Sequence, residues 1–114
     1  MPKPNVTISV RKVSSATAIL DISGEVTGFA EDALMDAYNQ ACNYGARIIA
    51  INFSNLDYMN SSGIGLLVTL LVRVQRQKQH LRAFGLSEHY QQIFELTRLN
   101  EAIGIYTTEA SAID

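Results

Sequence analysis

The sequence predicts an α/β domain: a mixed sheet of four to five strands with three to four helices packed on it. Three observations carry this. Two segments near the start, "NVTISVRKV" and "ATAILDIS", alternate apolar and polar residues with the period of a strand. Two later runs, "RIIAINF" and "LRAFG", are apolar and strand-length. Between and after these runs lie segments whose apolar residues recur at three and four, and helices alternating with single strands imply crossovers and a largely parallel sheet. At 114 residues, 47% hydrophobic and 18% charged, the chain has the size and composition of one globular domain spanning residues 1–114.

Val6, Ile8 and Val10 mark one face of the first strand, and "SSAT" turns the chain into a second strand with Ala18, Leu20 and Ile22 on one side. The pair reads as a hairpin. Gly24 is expected to end the second strand, leaving "GEVTG" as a loop that carries Thr27. From Ala30 to Asn43, Leu34, Ala37 or Tyr38, and Ala41 recur at helical spacing, with Glu31 and Asp32 in the first turn and Gly45 as a left-handed terminator. "RIIAINF" is apolar enough for a strand buried on both faces. Ser62 to Lys78 is the strongest helix. Leu67, Leu70, Leu71 and Val74 form its buried stripe, and Arg73, Arg76 and Lys78 close it with positive charge. After "LRAFG", a serine cap at Ser87 opens a helix with Tyr90, Ile93, Phe94 and Leu96–Thr97 at helical spacing. "AIGIY" fits an edge strand and "TEASAI" a short terminal helix.

A net charge of −2 and a pI near 5.6 argue against direct nucleic-acid binding. The one cysteine, Cys42, permits no internal disulfide and suits a small core residue in a reducing compartment. The opening "MPKPNVTISV" has no apolar leader segment, and the longest apolar stretch, Ile64 to Val72, falls short of the ~20 residues that cross a bilayer. The expectation is a cytoplasmic, soluble protein.

Chemistry concentrates in "NLDYMNSSGIGLL", where a strand gives way to a helix. A phosphate-binding P-loop would need a lysine that is absent, and a dinucleotide fingerprint would need a third glycine after Gly63 and Gly65. A hydrolase elbow would need glycines flanking the serine at two residues, yet Met59 precedes Ser61 and Asn60 precedes Ser62. His80 and His89 read as solvated, and one cysteine with two separated histidines offers no metal cluster. No catalytic residue, cofactor or metal is therefore expected. Asn60, Ser61 and Ser62 are all good N-cap residues. Capping does not account for Gly63 and Gly65, which cost up to ~1 kcal/mol each in a helix, so something is expected to approach the backbone there. Ile64 and Val68 lie off the buried stripe, either as further core or as an exposed apolar contact.

"NLDYMNSSGIGLL" resembles the hallmark of the STAS domain, especially the free-standing anti-sigma-factor antagonists. "ISGEV", "IAINFSNL" and "EHYQQIFELTRLNE" have counterparts in order, and the resemblance covers essentially the whole chain. It implies a bacterial regulator of transcription that switches partners. In that family an anti-sigma factor, itself a serine kinase, phosphorylates the first serine of the pair. That position is Ser61 here, with Ser62 the second choice. Unphosphorylated, such a protein binds the anti-sigma factor; phosphorylated, it is released. ATP and magnesium then belong to the kinase partner. The partner-binding surface implied comprises Thr27, Asn60, Ser61, Ser62, Gly63, Ile64, Gly65 and Val68. Asn60 and Thr27 stand where the family usually carries aspartates. Two other readings remain open: a STAS scaffold or accessory subunit of another signalling or transport assembly, and a small-molecule or nucleotide binder using the "SSGIG" amides. The resemblance leaves the oligomeric state open.

Overall fold

The computed structural model describes residues 5–114; residues 1–4, read above as part of an opening without an apolar leader, lie outside them. Five strands form one sheet in the order β1-β2-β3-β4-β5. β1 (Val6–Lys12) and β2 (Thr17–Val26) are an antiparallel hairpin, and β3 (Ile48–Met59), β4 (His80–Phe84) and β5 (Gly104–Tyr106) continue parallel to β2. The helices α1 (Glu31–Asn43), α2 (Ser61–Arg76), α3 (Glu88–Leu96) and α4 (Glu109–Ile113) fall between and after the strands as crossover topology requires. The mixed sheet is the predicted one, with its hairpin at the start.

Strand periodicity divides the core. Ala18, Leu20, Ile49, Ile51 and Ala83 face the larger cluster, which they share with Leu34 of α1, Leu67 and Leu70 of α2, and Tyr90 and Phe94 of α3. Ile19, Ala50 and Phe84, one register step away, meet Ala112 of α4 on the other face. Phe94 is fully buried and meets Phe53 edge-on, with ring centroids 6.2 Å apart. A network crosses the sheet at its polar positions. Arg11 of β1 donates to Asp21 of β2 and to Glu109 of α4, while Asn52 of β3 donates to Asp21 at 2.8 Å. The Arg11 guanidinium holds the Asp21 carboxyl below its ordinary range, with the Asn52 amide adding to the effect.

Three expectations change. β2 does not stop at Gly24 but continues to Val26, through register shifts at Asp21/Ser23 and Gly24/Glu25. Gly24 is needed inside the strand: its φ is +102°, and a Cβ there would sit 2.3 Å from the Asn5 carbonyl oxygen, which accepts the Glu25 amide. β3 likewise runs on past "RIIAINF" to Met59, so its last residues, beyond the apolar run, are strand rather than connection. Leu96, grouped with Tyr90, Ile93 and Phe94 at helical spacing, is 84% exposed: it lies about 200° round α3 from Phe94, away from the face that buries Tyr90 and Phe94. Smaller differences fall at helix ends: Ala30 belongs to a 3-10 turn before α1, and α2 runs Ser61–Arg76 rather than Ser62–Lys78. Cys42 is half-buried against the core.

Replacing Phe94 by Ala is expected to cost about 3–5 kcal/mol, whereas Leu96→Gln should stay within about 0.5 kcal/mol, both read from urea unfolding. Folding lowers the Asp21 pKa, so its stabilising contribution is full above the ordinary carboxylate value near 3.9 and is lost as pH falls below it. The acid limb of the stability curve should therefore flatten in Asp21→Asn.

Candidate functional site

β2 and β3 stay paired to their last residues, with Val26 opposite Met59. The two segments that leave them emerge side by side. After Val26, Thr27 caps the 3-10 turn Gly28–Ala30, its hydroxyl accepting from the Phe29 amide at 3.3 Å. After Met59, the Asn60 amide donates back to the Val26 carbonyl at 3.3 Å and α2 begins. The turns touch: a Cβ on Gly28 would lie 3.6 Å from Cβ of Ser62. Below them, the Met59 amide donates to the buried Tyr90 hydroxyl at 2.7 Å, tying α3 to the strand end.

Of the three candidate caps, Asn60 takes the role. Its backbone is extended and its Oδ1 accepts from the Gly63 amide at 2.9 Å. Ser61 and Ser62 are thereby released from capping. Both are exposed, and among the described residues neither hydroxyl has a hydrogen-bond partner. α2 also differs from the other three helices in having no acidic residue in its first turn; α1 has Glu31 and Asp32, α3 Glu88 and α4 Glu109. The positive end of its dipole is left without a nearby carboxylate on the same helix.

The two glycines have different causes. A Cβ on Gly63 would lie 2.0 Å from the Val26 carbonyl oxygen and 2.9 Å from Cγ of Met59, so what approaches this backbone is the chain's own β2. Gly63 is buried. At Gly65 a Cβ would meet nothing within 4 Å. Gly65 lies on the open face, in line with Ser61, Val68 and Val72 at helical spacing, and all four are exposed. Val68 and Val72 are 42% and 41% exposed. Ile64 is half-buried and packs on the core, so of the two apolar candidates only Val68 lies open.

Phe29, at 61% exposure, went unremarked in the sequence although it sits beside the serine turn. Its signal was an aromatic residue isolated between Gly28 and Ala30, belonging to neither a strand alternation nor a helix stripe. His80 opens β4, at the opposite end of the sheet from Ser61, and His89 stacks edge-on against Tyr90 from an exposed position. No histidine or carboxylate bonds to either serine among the described residues, so nothing there activates a nucleophile. Among the same residues no group of three His, Cys, Asp or Glu could hold a metal, and no helix is long and apolar enough to cross a membrane. The site offers a free hydroxyl at a helix's positive end, bordered by an exposed apolar stripe.

The profile of the STAS domain matches residues 7–112, nearly the full chain. The chain belongs to the STAS domain family. Similar curated proteins include an anti-sigma-B factor antagonist of Listeria monocytogenes, 23% identical over 105 residues and covering 92% of both chains. A second, from Staphylococcus aureus, is 27% identical over 84 residues, 74% of this STAS chain and 78% of its own. Among solved structures, the anti-sigma factor antagonist SpoIIAA in its unphosphorylated form superposes with a TM-score of 0.74 at 22% identity, covering 95% and 96% of the two chains. An anti-sigma factor antagonist from Mycobacterium paratuberculosis gives 0.77 at 17% identity, over 99% and 96%. At these identities the structural likeness is one of fold.

Gly63→Ala should destabilise this STAS domain by at least about 2 kcal/mol, because backbone rather than a flexible side chain must move. Gly65→Ala should stabilise it by about 0.5–1 kcal/mol. Thermal unfolding of the two variants gives shifts of opposite sign if the assignment is right.

Proposed function

We propose that this protein is an anti-sigma-factor antagonist that works by partner switching. It binds an anti-sigma factor with serine kinase activity through the surface around Thr27, Ser61, Gly65 and Val68, and phosphorylation of Ser61 releases it. ATP and magnesium are carried by the kinase. The observation that carries this reading is the cap at Asn60, which leaves Ser61 with an exposed and unengaged hydroxyl at the first position of α2. The names of the curated relatives and family membership support it.

The electrostatics of the site suit such a switch. A phosphate adds about −1.5 to −2 charge at neutral pH. At the start of α2 that charge meets the dipole and the first free amides, an interaction favourable by about 0.3–1 kcal/mol, so the modified domain stays folded. The penalty falls on the complex, where the same charge is set against a partner surface covering Val68 and Val72. A hundredfold loss of affinity needs only ~2.8 kcal/mol. Asn60 in place of the aspartate usual at this position leaves α2 without a negative cap, which lowers the repulsion an incoming phosphate meets.

One observation favours a second reading. Asn60 and Thr27 both serve as local caps, so the turn has a purely structural use and could present a constitutive binding surface within another assembly. Intact mass after incubation with an anti-sigma kinase and ATP separates the two. A gain of one phosphate on the serine turn supports the switch, and no gain supports the scaffold.

In affinity capture from native extract, Ser61→Ala should retain its partner, while Ser61→Asp should lose it by about a hundredfold with a melting temperature no lower than that of the parent. Equal capture by both variants counts against the switch. Val68→Glu should abolish capture in either background without unfolding the domain, since Val68 is already exposed.

A further inference from the structure

At the opposite end of the sheet from Ser61, a cavity of about 520 Å³ opens where α1 and α2 end and β3 begins. Its floor is a closed hydrogen-bond chain. The buried Tyr38 hydroxyl donates to Oε1 of Gln79 at 2.8 Å, and Nε2 of Gln79 donates to the Ala46 carbonyl at 2.9 Å. Burial pushes the Tyr38 phenol above its ordinary range, so the floor is uncharged at neutral pH. The walls are different. Arg47, Arg73 and Arg76 line the cavity, and no carboxylate does. Among the described residues the only ion pairs are those of Arg11, so none of these three guanidiniums has an acidic partner.

Helix chemistry accounts for part of this charge. Arg73 and Arg76 stand in the last turn of α2, where cations complement the dipole, and Arg47 donates to the Lys78 carbonyl at 2.7 Å. Two helix C-termini present about −0.5 charge each, so about −1 faces +3 and a surplus of about +2 remains. A volume of 520 Å³ falls within the roughly 300–1,000 Å³ of small-molecule sites, and a satisfied floor needs no rearrangement to receive a ligand. The geometry points to a binding site for a compact, phosphate-bearing small molecule, gripped by Arg47, Arg73 and Arg76 over the Tyr38–Gln79 floor. Guanidiniums are suited to this because their planar fork matches phosphate oxygens two at a time.

The site shares no residue with the serine turn, and its test is independent of the partner switch. Sodium pyrophosphate titrated at constant ionic strength, followed by calorimetry and amide chemical shifts, should saturate one site. Shifts should fall on Cys42, Ala46 and Arg47. The Arg73→Gln/Arg76→Gln double variant, changed only at exposed positions, should bind at least about tenfold more weakly, while Ser61→Asp should bind as the parent does. The proposal is overturned by absence of saturation, by equal affinity for sodium sulfate, by unchanged affinity in the double variant, or by shifts centred on Ser61–Gly65.

Discussion

The contact between the Val26 carbonyl and α2 organises this end of the molecule. That oxygen is the last acceptor of β2. It takes the Asn60 amide at 3.3 Å and sits so close to Gly63 that no Cβ could be placed between them. A helix can follow a parallel strand this tightly only if its first turn is bare on the inner side. Gly63 supplies the bareness, and Asn60 supplies the cap that starts the helix on the same side. Everything exposed at the site is exposed because these two residues absorb the inward demands.

The division of labour along "NSSGIG" follows from that contact. Asn60 and Gly63 face the sheet and satisfy it; Ser61, Ser62 and Gly65 face away and are free of structural duty. Helical spacing then carries the outward face down through Val68 and Val72, while the inward face continues through Leu67, Leu70 and Val74 into the core. The result is a stripe that is apolar yet open, beginning at an unengaged hydroxyl.

Element order, the hairpin and the serine turn were legible from periodicity and caps, because those signals are local. "RIIAINF" read correctly as a strand buried on both faces, for Ile49 and Ala50 do enter different clusters. The strand ends were not legible. Gly24 carries the local mark of a terminator, and only the Asn5 carbonyl, which lies just before β1, shows that it is needed within β2. The choice among three adjacent caps is fixed by where the helix starts, and the Asn60 amide is anchored there by the Val26 carbonyl, a partner 34 residues earlier. Leu96 fails for a simpler reason: two residues past Phe94, it lies about 200° round α3, on the side turned to solvent. The arginine-lined cavity left no motif at all, since Arg47 and Arg73 are brought to one cavity only by the crossover.

β3 outruns β4: their pairing stops at Asn52 and Phe84, whereas β3 continues beside β2 to Met59. Over that final stretch the strand has a ladder on one side only, and on the other it is held at its tip by the Tyr90 hydroxyl. The stem of the serine turn is thus a cantilever, projecting from where the sheet narrows and held at its tip by the Tyr90 phenol and the buried Met59 side chain. With fewer ladder bonds than the five-stranded body, this segment opens at less than the cost of global unfolding, so the corner can yield while the sheet behind it holds.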